Sequence, residues 1–104
     1  MSNKKKDIRN NFRNAVFERD NYKCKVCDLS GVQLDAHHIT DRNLMPNGGY
    51  VPENGISLCP DCHNKAEDFH RNVVPLLGFS PDELYQLIGS SIGLALEQSK
   101  RIGK

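Results

Sequence analysis

The sequence contains no tryptophan, and only seven of its 104 residues are phenylalanine or tyrosine. A chain this short and this poor in aromatic side chains has little apolar surface to bury in a core. Domains of this size commonly depend on a bound metal ion or on disulfides for part of their stability. The composition therefore predicts a small core with an additional stabilising element.

The sequence also lacks a long apolar segment. No stretch approaches the roughly 20 apolar residues that a membrane-spanning helix needs, and the chain begins with polar and charged residues, not with a hydrophobic signal region. We therefore expect a cytoplasmic protein that does not contact a membrane. Cysteines in that compartment stay reduced.

An excess of charge of either sign is absent too, because the net charge is only +1 with the histidines neutral. The charge is nevertheless unevenly distributed: residues 1–25 contain eight lysines and arginines against three acidic residues. A basic segment of this kind favours contact with phosphate groups, although it is equally compatible with a solvent-exposed helix face. The candidate phosphate contacts are Lys4, Lys5, Lys6, Arg9, Arg13 and Arg42.

The four cysteines form two Cys-x-x-Cys pairs separated by about a third of the chain. Two such pairs are typical of a structural zinc site with four thiolate ligands. Two disulfides are the alternative, but they would need an oxidising compartment. The sequence thus predicts one tetrahedral zinc ion, closed to substrate, at Cys24, Cys27, Cys59 and Cys62.

The N-terminal region has the periodicity of an amphipathic helix. Ile8, Phe12 and Val16 recur every four residues, which predicts a helix from about residue 7 to residue 19 after a short irregular start. Together these residues form a basic N-terminal arm and helix over residues 1–19.

A second helical region is predicted at the C-terminal end, over residues 80–100. Ser80 and Glu83 have the spacing of a capping box, with proline at the first helical position. Gly89 and Gly93 weaken the helix that follows, so we expect it to bend or split there.

The middle of the chain has the pattern of a β-hairpin followed by a helix. Residues 34–39 and 55–58 have strand character, and the polar segment 40–53 between them is a long loop rich in proline and glycine. Long loops inside small domains are usually functional. A helix is then predicted from Pro60 to about residue 71.

The histidines and one asparagine lie between and beside the cysteine pairs. A histidine that is the second of a pair, a central asparagine and a final histidine define the HNH endonuclease family, which this chain resembles through His38, Asn54 and His63. The resemblance extends over residues from about 12 to 70 and includes both cysteine pairs. It implies an α+β fold, namely a small treble-clef-like ββα-metal module with structural zinc and flanking helices. We expect one domain over residues 1–104 with its core at about 12–71.

The resemblance also implies an activity, the metal-dependent hydrolysis of phosphodiester bonds in double-stranded DNA. In the family's roles, His37 and His63 would hold a catalytic divalent cation such as magnesium or manganese. His38 would activate water as a general base, and Asn54 would orient His38 by holding the long loop. Alternation along a strand agrees with separate roles for the two adjacent histidines, because neighbouring side chains point to opposite faces.

The sequence departs from one variant of the family pattern. Where some members have a further histidine one helical turn after His63, this chain has Glu67, and His70 follows one turn later. Glu67 is a possible metal ligand, and a carboxylate would favour magnesium or manganese. His70 is a ligand only if the helix is regular. Asp35 is either a hydrogen-bond partner of the paired histidines or a surface residue.

Two other functions are compatible with the sequence. One is a non-catalytic zinc module that binds nucleic acid or a protein partner, which explains the cysteines and the basic arm but not the HNH residues. The other is an accessory nicking protein within a larger phage packaging or restriction complex. The DNA specificity, the native catalytic metal and the oligomeric state stay open from the sequence.

Overall fold

The structure is a computed structural model that describes residues 4–72 and 76–102. Its elements are α1 (Lys4–Arg19), β1 (Asp35–His38), β2 (Gly55–Leu58), α2 (Pro60–Asn72), α3 (Pro81–Leu87) and α4 (Ile92–Arg101). The predicted α+β class, with a ββα arrangement and flanking helices, is confirmed. No helix within the described ranges combines the length and the hydrophobicity needed to cross a membrane.

Helix α1 begins at Lys4, so it is longer than the helix predicted from residue 7. The irregular start expected there is therefore helical over its second half, and residues 1–3 lie outside the described residues. Phe12 and Val16 are buried, whereas Ile8 stays 41% exposed. The helix is thus anchored by its C-terminal half.

The end of α1 is tied to the sheet by a buried charge. Asp20 forms an ion pair with Arg19 at 2.8 Å and accepts a 2.9 Å hydrogen bond from the backbone N–H of Ser57. Arg19 also donates to the carbonyls of Pro52 and Gly55, both at 2.7 Å. Hydrogen bonds to charged groups are among the stronger ones in proteins, so this cluster fixes the helix against β2.

The two strands pair antiparallel, with His38 opposite Gly55. Both strands are four residues long, so the first is shorter than predicted. A Cβ atom at Gly55 would approach side-chain atoms of Val16 and Phe12 to 2.5 and 2.7 Å. The glycine therefore lets α1 lie directly on the hairpin, which brings Phe12 next to His38.

Helix α2 carries two different faces, as its spacing predicts. Cys59, just before the helix, and Cys62 and Ala66 within it are buried in the core. His63 and Glu67 lie on another face and are half-buried. Further core side chains come from the hairpin, the loop and the C-terminal region: Leu34, Ile39, Met45, Ile56, Leu58, Phe79 and Leu84.

The C-terminal region splits into α3 and α4, and Gly89 between them has a positive φ of 66°. Both hydrogen bonds of the predicted capping box of Ser80 and Glu83 are present. The amide nitrogen of Asn47, in the long loop, donates to the carbonyl of Ser99 at 2.9 Å. Helix α4 thus supports the loop that joins the two strands.

Candidate active site and metal centres

The two cysteine pairs converge on one point. Their four sulfur atoms all lie within 4.8 Å of one another, and Sγ of Cys27 is 3.7 Å from Sγ of Cys59. Thiolates bound to one zinc ion at about 2.3 Å lie about 3.8 Å apart, whereas bonded sulfurs lie about 2.05 Å apart. The cysteines are free thiols. Their arrangement fits a tetrahedral zinc ion and not a pair of disulfides.

Backbone hydrogen bonds hold the turn that contains the first cysteine pair, Cys24 and Cys27, and they affect the pKa of Cys24. The N–H of Cys24 donates to the carbonyl of Leu29, and its own carbonyl accepts from the N–H of Asp28. Burial raises the pKa of Cys24, but backbone hydrogen bonds, beginning with that at Cys27, outweigh burial and lower it to about 7. Burial and the neighbouring thiols raise the pKa of Cys62. Metal binding would therefore release protons from the cluster.

A cavity of about 240 Å³ lies between the hairpin and α2. All four histidines of the chain line it, together with Ala36, Asp41, Arg42 and Glu67. Three of the four residues expected to act in catalysis, His37, His38 and His63, thus meet in one cavity. The fourth, Asn54, is fully buried behind the wall formed by the loop.

His37 and Glu67 form the inner part of the cavity. His37 is only 2% exposed, and its Nδ1 lies 3.1 Å from Oε2 of Glu67 without hydrogen-bond geometry or another partner among the described residues. Burial lowers the pKa of His37, so its imidazole is neutral near pH 7. The adjacent His37 ring holds the pKa of Glu67 at about 2, so this carboxylate is charged. A neutral imidazole and a charged carboxylate that face each other at this distance are a typical ligand pair.

His63 reaches the same carboxylate from the other side. Its Nε2 is 3.3 Å from Oε2 of Glu67, and its Nδ1 is 3.2 Å from Oδ2 of Asp35. Asp35 therefore contacts His63 and not the paired histidines, which the sequence suggested as its partners. A carboxylate that accepts the Nδ1–H leaves the lone pair of Nε2 free, the usual arrangement behind a metal-binding histidine.

His70, and not His63, forms the compact group of metal-ligating atoms with His37 and Glu67. Its Nε2 is 3.1 Å from the carbonyl oxygen of His38, and because a carbonyl only accepts, Nε2 carries the hydrogen and Nδ1 the lone pair. His37, Glu67 and His70 each offer a ligand atom, and these atoms lie within 4.8 Å of one another.

The contacts of 3.1 and 3.3 Å at Glu67 have the spacing of ligands on one ion. With bonds of about 2.1 Å, neighbouring ligands lie about 3.0 Å apart in octahedral and about 3.4 Å apart in tetrahedral geometry. The buried, partnerless Nδ1 of His37 points to the same conclusion. The residues present fit a divalent cation held by imidazole and carboxylate.

His38 lies beside this group in an aromatic enclosure. Its ring stacks on Phe12 at 4.6 Å between centroids and meets the edge of Tyr50 at 4.7 Å. Burial, with smaller contributions from His37 and Arg42, lowers the pKa of His38 to about 4. Its imidazole is therefore neutral near pH 7, the form that a proton acceptor needs.

Asn54 is the centre of a buried hydrogen-bond network. Its Oδ1 accepts from the N–H of Thr40 at 3.0 Å and from the hydroxyl of Tyr85 at 2.7 Å. Its Nδ2 donates to the carbonyls of Thr40 and Gly49 at 3.1 and 3.2 Å. Gly49 has a φ of 64°, and a Cβ there would lie 2.7 Å from Nδ2 of Asn54. The asparagine thus joins the start of the loop to its later part.

Two of the candidate phosphate contacts lie near the cavity. Arg42 lines it and donates to the hydroxyl of Tyr50 at 3.1 Å. Arg9 lines an adjoining groove together with Arg42.

The other candidates lie elsewhere or outside the described side chains. The guanidinium of Arg13 lies 5.8 Å from the ring centroid of Phe17, in a separate depression beside Tyr22. Lys6 is exposed on α1. Lys4 and Lys5 belong to α1, but their side chains lie outside the described part of the structure. Arg13 is therefore not brought to the cavity.

The sequence did not predict that three aromatic residues, Phe12, Tyr50 and Tyr85, contact residues of the site. Phe12 was predicted only as part of the apolar stripe of the N-terminal helix, and neither Tyr50, in the long loop, nor Tyr85, in the C-terminal helical region, was given a role. Only the unusual run of glycines before Tyr50 hinted that its ring lies close to the backbone, since a Cβ at Gly48 would meet it at 2.7 Å.

The family model of the HNH endonucleases matches residues 24–69. The match begins at the first zinc-site cysteine, ends within α2 and includes every residue of the HNH pattern. This segment therefore matches the HNH endonuclease family, and the predicted resemblance is confirmed over these residues. Comparison with curated proteins and with solved structures gave no match.

Proposed function

We propose that the protein is an endonuclease that hydrolyses phosphodiester bonds in double-stranded DNA, with one divalent cation and His38 as the general base. The observation that carries this proposal is the convergence of His37, His63, Glu67 and His70 beside a neutral His38 within an HNH domain. DNA is the substrate on which HNH nucleases act, so the domain supports a DNA partner.

The catalytic cation would be held by His37, His63 and Glu67, with His70 as a fourth ligand. A charged carboxylate among imidazoles suits magnesium, manganese or another divalent metal. When bound, the cation would supply positive charge next to the phosphate and the leaving oxygen.

The side chains of the chain account for the remaining requirements. His38 accepts the proton of the attacking water, and the rings of Phe12 and Tyr50 hold its imidazole in one orientation. Asn54 keeps the loop in place on the other side of the strand. Arg42, at the rim of the cavity, is in position to contact a phosphate oxygen.

The zinc at the four cysteines would stabilise the fold without taking part in the reaction. A site with four thiolates has no open position for a substrate or water. Reduced thiolates are typical of a reducing compartment, which supports a cytoplasmic location.

Nicking of supercoiled plasmid tests this proposal, with wild type, His38→Ala and His63→Ala compared across titrations of magnesium and manganese. His38→Ala should lower the rate by roughly 10²–10⁴ and should not recover in excess metal, because a proton acceptor is missing. His63→Ala should recover in part, because it loses only one ligand. Zinc content and melting temperature, measured in parallel, should match wild type in both variants.

Each result has a distinct meaning. If the wild-type protein binds DNA but does not nick it with any of the metals tested, the protein is a non-catalytic zinc module. If His38→Ala nicks at the wild-type rate, the proposed role of His38 is wrong. Weak nicking that rises strongly on addition of packaging or restriction proteins would favour an accessory role in a larger complex.

A further inference from the structure

A groove of about 390 Å³ adjoins the catalytic cavity. It lies between α1 and the long loop and is lined by Ile8, Arg9, Arg42, Asn47 and Tyr50. Arg42 lines the catalytic cavity as well, so the two spaces lie on either side of this side chain. A substrate strand bound in the catalytic cavity therefore has the groove beside it.

The lining of the groove combines positive charge with apolar surface. Two of the five residues are arginines and none is acidic, so an anionic ligand is favoured. Ile8 is 41% exposed, and with the ring of Tyr50 it offers a surface for the face of a planar base. The volume lies within the range of about 300–1,000 Å³ that is usual for small-molecule sites.

We propose that this groove binds the nucleotide next to the scissile phosphate. The base, turned out of the duplex stack, packs on Ile8 and Tyr50, Arg9 contacts the following phosphate, and Arg42 lies between the groove and the reaction centre. This inference rests on the proposed nuclease function and adds a substrate-binding subsite to it. The ligand is a nucleotide unit of the substrate strand.

Tyr50 lines the groove and also contacts His38, the proposed general base. Tyr50 meets the ring of His38 edge-on at 4.7 Å and accepts a hydrogen bond from Arg42. Gly48, with a φ of 80°, leaves room for the Tyr50 ring. A base packed on Tyr50 therefore holds the same ring that orients His38. Occupation of the groove should raise turnover as well as affinity.

Small phosphodiesters with one nucleoside test the groove directly. Methyl p-nitrophenyl phosphate has no base, whereas thymidine p-nitrophenyl phosphate has one, attached through either its 5′ or its 3′ oxygen. We expect wild type to prefer one thymidine isomer over the methyl ester by about tenfold in kcat/KM, the size of one base-stacking contact. The other isomer should show no such preference.

Ile8→Ser should remove most of this preference, because it removes the apolar surface under the base. Ile102→Ser is the matched control, since Ile102 is similarly exposed, at 40%, lies at the C-terminal end of α4 and lines neither the catalytic cavity nor the groove. It should keep the wild-type preference. Equal rates for all three esters in wild type, or an unchanged preference in Ile8→Ser, would overturn the proposal.

The role of Arg9 is tested by DNA binding without cleavage, so the result does not depend on the nuclease proposal. The fluorescence anisotropy of a labelled duplex, measured over a range of salt concentrations without divalent metal, gives the salt dependence of the affinity. Arg9→Ala should reduce the slope of log affinity against log salt concentration by the amount expected for the loss of about one phosphate contact. Lys23→Ala, which removes an exposed cation next to Cys24, should leave the slope unchanged.

The two proposals can fail separately. If wild type hydrolyses neither the esters nor DNA, the nuclease proposal fails, and the salt slopes alone decide whether the groove contacts nucleic acid. If wild type cleaves DNA but Arg9→Ala and Lys23→Ala have equal slopes, the nuclease stands and the groove is not a nucleotide site.

Discussion

The hydroxyl of Tyr85 donates a 2.7 Å hydrogen bond to Oδ1 of Asn54, 31 positions earlier in the chain. Tyr85 is buried on α3, outside the segment that matches the HNH family. Since its one hydrogen is directed to Asn54, the hydroxyl of Thr40, also 2.7 Å away, must donate to Tyr85. A C-terminal helix thus supplies a hydrogen bond to the central residue of the HNH pattern.

Tyr85→Phe should therefore slow cleavage while the protein stays folded. The variant keeps the ring in the core and removes two hydrogen bonds, to Asn54 and from Thr40, each worth about 0.5–1.5 kcal/mol of stability. Asn54 keeps its bond from Thr40, so we expect a fall in kcat of several-fold with little change in KM. Plasmid nicking at saturating metal and thermal unfolding measure the two effects.

Tyr22→Phe is the control for this prediction, because Tyr22 is 58% exposed on the surface. It should leave both kcat and melting temperature unchanged. A Tyr85→Phe variant with lower stability but wild-type kcat would mean that Tyr85 only supports the core.

Loss of a zinc ligand should unfold the protein. Structural zinc contributes on the order of 10 kcal/mol or more to folding, which is comparable to the roughly 5–15 kcal/mol of a whole domain. Cys59→Ser should lack zinc and a cooperative thermal transition, and a strong chelator should have the same effect on wild type. Metal analysis and circular dichroism check this, and a zinc-free variant with the wild-type melting temperature would contradict it.

Glu67→Ala should weaken binding of the proposed catalytic cation. Oε2 of Glu67 lies between nitrogens of His37 and His63, so its removal leaves two imidazoles without the charge between them. We expect the manganese concentration for half-maximal nicking to rise at least about tenfold. Asp68→Ala removes the neighbouring carboxylate of α2, which does not line the cavity, and should leave this concentration unchanged. Equal values in the two variants would exclude Glu67 as a ligand.

The acid limb of the pH–rate profile should lie below the usual histidine range. His38 must be neutral to accept a proton, and burial lowers its pKa from 6.5 to about 4. A divalent cation beside it would disfavour the imidazolium further. At saturating manganese, kcat should therefore persist as the pH falls through 6.5, the usual histidine pKa.

This pH–rate profile needs a control for acid unfolding of the protein. Histidines with lowered native pKa values take up protons more readily when unfolded, so stability decreases as the pH falls below the unfolded pKa. Circular dichroism at each pH separates unfolding from titration. A half-maximal rate at or above pH 6.5 in fully folded protein would contradict the assignment of His38.

The local parts of the site were predictable from the sequence. Cysteine pairs of fixed spacing predict a zinc ion because each pair lies on one short turn. The faces of α2 follow from helical geometry, so Glu67 and His70 were foreseen on one side with His63. The strand pattern likewise predicted that His37 and His38 have different surroundings.

The parts that depend on packing between distant elements were not predictable. The contact of Phe12 with His38 requires α1 to lie on Gly55, and no local pattern gives that approach. The partner of the Tyr85 hydroxyl depends on how α3 meets the loop. Asp35 was left open between a partner of the paired histidines and a surface residue, and only the packing of α2 beside the hairpin brings it to His63, 3.2 Å away.

The stacking of Phe12 on His38 limits how this nuclease domain can be transplanted. A fragment cut at the borders of the matched segment, residues 24–69, would leave the imidazole without one wall and Asn54 without its tyrosine donor. A chimera made by grafting that fragment onto a DNA-targeting protein should retain zinc but cut poorly. Fusion points placed before α1 and after α4 would carry the whole catalytic unit into the new protein.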